Sequence, residues 1–317
     1  MENSIIQYLP ENLRNLFSSE SGYLESLTEI RLRVKRPIIL KTNTVELSLT
    51  PMGDITQSIS QGYIITATDI AKTMELISDF SLYAFENELK NGYITIPGGH
   101  RIGICGTTVI ENGHIKTIKN FSGINIRLCR QIFGVGEQVI EHIVTSEGRL
   151  LHTMIISPPA CGKTTLLRDI VRQLSYGVEG KFEGMTVGVV DERSEIAGTY
   201  QGVYQNDIGP RTDVMDACPK AVGMVILLRA MSPKVIAVDE LGKQEDIQAL
   251  EDIVNSGVKV ICTVHGNNVE EIKKRDNLKY IFLSKLFERY IILGEIDQAK
   301  KLSNIEAIYD KNFQKIG

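Results

Sequence analysis

From about residue 135 onward, short apolar runs alternate with longer segments of helical spacing. The runs at 152–157, 186–191, 234–239 and 258–265 are rich in β-branched residues and have the length of buried strands. Helices are expected between them, starting near Lys163, Pro219 and Gln244. This alternation predicts an α/β fold with a mostly parallel, doubly wound sheet that takes ligands at its strand C-terminal ends. The first 135 residues carry a different, mixed α+β pattern. Ile5, Ile6, Leu9, Leu13, Leu16 and Phe17 have helical spacing across Pro10. Alternation predicts strands at 29–34 and 37–40, and Thr68 is placed to cap a helix carrying Ile70, Met74 and Ile77. A further helix is expected over 82–89. Segments 101–110 and 114–118 flank Glu111-Asn112-Gly113, a hairpin turn signal. The boundary is expected near Gly134–Gly136, giving an N-terminal α+β domain of residues 1–135 and an α/β domain of residues 136–317.

Composition narrows the class. At 317 residues, 43% hydrophobic and 23% charged, the chain is an ordinary globular protein, and no apolar run approaches the roughly 20 residues of a membrane span. The start lacks the basic and apolar regions of a signal peptide, so a cytoplasmic protein without direct membrane insertion is expected. A net charge of −4 argues against a broad basic surface, and no stable nucleic-acid partner is expected. The five cysteines are scattered without zinc-site spacing, as reduced thiols would be.

The chemistry is concentrated in the second domain. Ser157-Pro158-Pro159-Ala160-Cys161-Gly162-Lys163-Thr164 occupies the frame of a Walker A phosphate loop, after an apolar strand and before a helix that begins with Thr165 on the same turn. Such a loop turns backbone N–H groups and a helix N-terminus toward phosphates. Lys163 would reach the β- and γ-phosphates of ATP, and the Thr164 hydroxyl would ligate Mg²⁺. Ser157 and Ala160 stand where glycines are frequent. Ser157 precedes a proline and so favours extended dihedrals, which a non-glycine residue adopts without strain. Cys161 reads as a small loop residue.

Val235-Ile236-Ala237-Val238-Asp239-Glu240 is an apolar strand ending in two carboxylates, a Walker B pattern. Asp239 is expected to hold the Mg²⁺ shell, and Glu240 to orient or deprotonate the attacking water. Two other strands end in Asp191-Glu192-Arg193-Ser194-Glu195 and in Thr263-Val264-His265-Gly266. In a parallel sheet all four ends share one rim, which makes Glu192 and His265 further catalytic candidates. Arg31 and Arg33 alternate with Ile30 and Leu32 and read most simply as the solvated face of a strand.

With these elements at 157–164, 191–195, 235–240 and 263–266, and with Leu228-Arg229 ahead of the Walker B strand, the chain resembles the ATPases of type II and type IV secretion and type IV pili. It is more closely similar, over nearly its whole length, to the stage III sporulation AA family of endospore-forming Firmicutes. That resemblance rests on Glu29-Ile30-Arg31-Leu32-Arg33, Gly98-Gly99-His100-Arg101-Ile102-Gly103, Asn125-Ile126-Arg127-Leu128, 161–169, 191–197, Gly209-Pro210-Arg211-Thr212-Asp213-Val214 and Cys218-Pro219-Lys220-Ala221. It departs at Ser157 and Ala160, where that family usually has glycines. The resemblance implies a RecA-like ATPase domain, and an N-terminal domain that covers the nucleotide and carries Arg101 and Arg127 to the transferring phosphate, with Arg211 and Arg229 as further candidates. It also implies a homohexamer on the mother-cell side of the forespore membrane, working with membrane proteins of a sporulation channel complex. Two alternatives share the same loop: a RecA-like nucleic-acid translocase, and a nucleotide-dependent scaffold that barely hydrolyses.

Overall fold

A computed structural model describes residues 3–17, 26–42, 44–79, 81, 85–297 and 302–317. The chain forms two compact units, one of residues 1–130 with 200–205 and the other of residues 131–199 with 206–317.

In the first unit the opening apolar stretch splits into α1 (Asn3–Ile6) and α2 (Glu11–Leu16), because Pro10 lacks the N–H that would continue a helix. Strands β1 (Leu27–Arg33), β2 (Ile39–Thr42), β3 (Glu46–Leu49) and β4 (Ile55–Thr56) follow, then helices α3 (Ala67–Ile77) and α4 (Glu86–Asn91). Strands β5 (Tyr93–Ile96), β6 (His100–Glu111) and β7 (His114–Arg127) complete a seven-stranded sheet of order β4-β3-β2-β1-β7-β6-β5. Every neighbouring pair in it is antiparallel. The α3 helix starts earlier than Thr68 would set it. Thr66 caps it, because Asp69 stands three residues on and completes a reciprocal capping box. Of the helix expected over 82–89, residues 82–84 lie outside the described residues. The β6–β7 turn has Asn112 and Gly113 at φ 51° and 78°, as a two-residue hairpin requires. One sheet face buries Ile30, Leu32, Ile102, Ile104, Ile124 and Ile126 with Leu13, Leu16, Ile70 and Met74 of the helices.

The second unit begins with α5 (Glu137–Ile143), β8 (Thr153–Ser157) and α6 (Lys163–Tyr176), followed by the short pair β9 (Gly177–Val178) and β10 (Phe182–Glu183). Next come β11 (Val187–Asp191), β12 (Thr212–Asp216), α7 (Lys220–Met231), β13 (Val235–Val238), α8 (Gln244–Asn255) and β14 (Lys259–His265). The chain ends with α9 (Val269–Lys273), α10 (Lys279–Leu283), β15 (Arg289–Asp297) and β16 (Leu302–Asp310). The sheet order is β12-β11-β13-β14-β8-β15-β16, parallel except for the β15–β16 pair. The four strands expected from the apolar runs are β8, β11, β13 and β14. Three further strands, β12, β15 and β16, complete the sheet outside those four runs.

Alternate residues of these strands enter two separate cores. Ile236 and Val238 pack on the α7–α8 side, while Val235 and Ala237 pack on the α5–α6 side. Burial on both faces explains why the strands read as continuous apolar runs. Among the described residues no helix is long and apolar enough to cross a membrane.

Asp169, almost fully buried on α6, ties the entry of this unit to its central helix. It accepts from Gly136 N and Gln173 Nε2, both at 2.8 Å, and from Arg172 Nε at 2.9 Å. Asp169→Ala leaves those donors unpaired and should cost about 2–3 kcal/mol. The check is a lowered melting temperature together with faster amide exchange over residues 134–143.

Candidate functional site

Because β8, β11, β13 and β14 run parallel, their C-terminal ends open on one rim of the sheet. Ser157 is the last residue of β8, fully buried and paired with His265 of β14. The loop then passes Pro158 and Pro159 to Ala160, Cys161 and Gly162, and α6 starts at Lys163. Ser157 is absent from the left-handed region, so the glycine missing there costs no backbone strain. Ala160 differs: its φ of 60° is where glycine would sit freely, and the methyl group costs about 1 kcal/mol. Gly162 has φ 79° as the N-cap and supplies no side-chain cap. The first-turn N–H groups of this 14-residue helix are thus left for a ligand, at the positive end of its dipole. Cys161 is buried, its Sγ 3.6 Å from the Pro159 carbonyl.

Three strand ends and the start of α6 meet in one network. The Thr164 hydroxyl donates to Asp239 Oδ2 at 2.6 Å, and the Thr263 hydroxyl donates to Asp239 Oδ1. Glu240 N donates to Thr263 Oγ1 at 2.8 Å, which fixes the turn after β13, where Glu240 has φ 55°. The Glu240 carboxylate is held from both sides. Lys163 Nζ is 2.8 Å from Oε1, and Arg193 is 3.2 Å from Oε2. His265 Nε2 lies 2.9 Å from Oε1 and 3.3 Å from Lys163 Nζ, while its Nδ1 is buried without a hydrogen-bond partner. Burial pushes the Glu240 carboxyl up, but Lys163, Arg193 and His265 outweigh it and hold it below the usual carboxylate range. Gly266 follows directly and donates to the Ser157 carbonyl at 3.1 Å. A Cβ there would sit 2.2 Å from Ile272 Cδ1, so a larger residue would have to push that side chain out of the β14–α9 turn.

The end of β11 is built differently. Asp191 is buried and accepts three backbone amides, from Glu195 at 2.8 Å and from Ile196 and Ala197 at 2.9 Å. Burial pushes its carboxyl up to about 6 despite these bonds. Arg168 of α6 donates to the Ile196 carbonyl at 2.7 Å and to that of Glu195. The 191–197 loop is therefore fastened to the helix that follows the 157–164 loop, and it presents Arg193 to Glu240. Glu192 turns away into an ion pair with Lys220 at the start of α7.

The structure thus brings Lys163, Thr164, Asp239, Glu240 and His265 together and leaves Glu192 outside that network. Arg101 and Arg127 belong to the first unit, opposite each other in register on β6 and β7. Arg101 lies over the Tyr93 ring at 3.6 Å, and Arg127 is 3.9 Å from Glu29. Arg211 donates to the Ser175 carbonyl at 2.9 Å, a structural tie within the second unit. Sequence reasoning missed Arg193, Thr263 and Arg168. Thr263 was findable, because it lies two residues before His265 and so on the same strand face. The Thr164 hydroxyl beside the Asp239 carboxylate is a hard-oxygen pair that fits Mg²⁺, which takes few protein ligands and keeps its waters.

Residues 1–316 match the family described as Sporulation stage III, protein AA. The Stage III sporulation protein AA of Bacillus subtilis (strain 168) is 40% identical over 312 residues, 98% of this chain and 95% of that protein. Among solved structures, the Legionella pneumophila ATPase DotB aligns with a TM-score of 0.57 at 16% identity, covering 90% of this chain and 77% of DotB. The pilus retraction motor PilT with bound ADP also aligns at 0.57, with 12% identity and 89% and 78% of the two chains covered. The fold is shared with these ATPases.

Two carboxyl titrations follow from this geometry and can be read by carboxyl NMR on the nucleotide-free protein. Asp191 should titrate near 6. Because its folded-state value is raised, the native state binds the extra proton, so this group makes stability fall as pH rises from the ordinary aspartate range through about 6. Lys163→Ala should move the Glu240 midpoint upward, since burial then meets less opposing charge. An unmoved midpoint would show that the ammonium does not sit on Glu240.

Proposed function

The chain belongs to the stage III sporulation protein AA family, and we propose that it hydrolyses ATP as an oligomeric motor. The observation that carries this reading is the network joining Lys163, Thr164, Asp239, Glu240 and His265 at one rim of the parallel sheet. The loop 157–165, with Lys163 and the first-turn amides of α6, would take the phosphate chain. Thr164 and Asp239 would hold Mg²⁺, which when bound supplies positive charge to the phosphate oxygens. For phosphate to enter, Lys163 has to leave Glu240. That exchange frees the carboxylate to accept a proton as water attacks the terminal phosphorus and the bond to the β–γ bridging oxygen breaks. Arg193 stays on the far oxygen of Glu240 and aims it.

Arg101 and Arg127 are proposed as the cations that stabilise charge on the transferring phosphate, with the first unit as the covering and assembly domain. The partners would be further copies of the chain, as a hexamer, and membrane proteins of a channel complex between mother cell and forespore. Its place would be cytoplasmic, peripheral to the mother-cell side of that membrane. A second reading, a nucleotide-dependent scaffold with little turnover, draws on the Lys163–Glu240 pair and on the strained Ala160.

Turnover of the purified chain should fall about 10²–10⁴-fold in Glu240→Gln, which keeps the shape of the side chain but cannot take up the proton. Oligomer size should rise with ATP in both proteins. Equal rates would remove the catalytic assignment, and binding without turnover in either would favour the scaffold. Arg193→Gln should raise the pH at which kcat falls on the acid side, because Glu240 loses a stabilising cation. A merely structural Arg193 would leave that limb in place.

A further inference from the structure

Helix α7 is apolar on nearly every side, the composition of a helix enclosed by protein. Within one chain only one side of it is enclosed. Gly223, Met224 and Leu227 are buried, whereas Val222 and Ile226, one turn apart, are 53% and 41% exposed. Beside it, α8 carries four carboxylates and no cation. Asp246 is buried in the cap, and Glu245 and Asp252 are exposed. The exposed cations of this face are Lys243, ahead of α8, and Arg229, in the last turn of α7. The stretch formed by α9 and α10 has the opposite character. Its Ile281 and Phe282 enter the same core that α7 and α8 cover, and Phe282 stacks on Tyr290 of β15 at 5.4 Å. Tyr280 and Leu283, one turn apart on α10, stand outside that core, 57% and 73% exposed. Lys274, Lys279 and Lys285 are exposed in the same stretch, with Asp276 as a carboxylate among them. Glu270 and Glu271 are already taken up by Lys273 and Arg275.

Strand order sets these two patches apart. α7 packs on β11, β12 and β13 at one end of the sheet, and α10 meets β15 near the other. One chain cannot bring them together, but two copies can. Different, complementary patches on one molecule make a head-to-tail contact, which closes into a ring or continues as a filament. Here apolar surface would meet apolar surface, with carboxylates opposite ammonium groups at the rim. The minority charges match as well, since Arg229 and Asp276 are of opposite sign. We propose that the α7–α8 face of one copy of this chain docks on the α9–α10 patch of the next. An anionic membrane suits α10 less well. Two apolar side chains on a five-residue helix offer little to insert, and the α7 stripe would stay uncovered. The contact rests on the self-association proposed above and not on ATP hydrolysis, so the two can fail separately.

The test is sedimentation velocity of the full-length chain over a range of concentrations, with and without ATP. Glu245→Lys with Asp252→Lys reverses one patch, and Lys274→Glu with Lys279→Glu reverses the other. Each double variant alone should self-associate about tenfold more weakly or worse, because like charges then face each other. An equimolar mixture of the two should recover association, since every contact between unlike variants again pairs opposite charges. Recovery also shows that both variants are folded. Val222→Ser with Ile226→Ser should weaken association to a similar degree at unchanged charge. A chain that stays monomeric throughout overturns the self-association and this contact together. Oligomers indifferent to all three double variants, or a mixture that does not recover, overturn the contact alone. Binding to phosphatidylglycerol vesicles that the lysine variant abolishes, with self-association intact, would give α10 to a membrane and overturn it as well.

Discussion

The second unit depends on one constraint: its inner strands are buried on both faces. A buried strand must satisfy every backbone N–H and C=O within the sheet, and here β8, β11, β13 and β14 do so in parallel register. Parallel register carries a geometric consequence. All of these strands arrive at the same rim, so polar residues that cannot enter the apolar layers collect there. Asp191, Asp239 and His265 sit at or just past the points where apolar sequence stops.

Gathering charges at a partly buried rim requires compensation, and the rim supplies it locally. Lys163, about 8% exposed, would be costly as an isolated ammonium, and Glu240 and His265 meet it. Asp191 is offset by three amides in place of a cation, which spends its carboxylate on shaping the 191–197 loop. Arg168 closes the same loop from the side of α6. The loop that carries Arg193 to Glu240 and the helix that follows the 157–164 loop are thus joined by direct hydrogen bonds. The first unit follows the opposite plan: its antiparallel sheet keeps one face dry and gathers arginines on the other.

Much of this was legible in the chain. Four apolar runs corresponded to strands within one or two residues, because a strand buried on both faces has to be apolar throughout. Helix starts at Lys163 and Gln244, and the Asn112-Gly113 turn, were equally plain, since they depend on backbone preferences a few residues long. The loop at 157–164 and the carboxylates after β13 were visible as local patterns, and Ser157 was rightly expected to need no positive φ.

What the chain did not disclose has a common physical origin. Strands β12, β15 and β16 are legible only through the neighbours that pair with them. Thr66, and not Thr68, caps α3 because Asp69 closes the box. Arg193 on Glu240, Glu192 on Lys220 and the pairing of Arg101 with Arg127 all link residues distant in sequence. By itself the sequence determined where elements lie and which of them carry phosphate-type chemistry, because those properties follow from short-range spacing and polarity. Only the tertiary structure decided which charges face each other, because that depends on strand order and register.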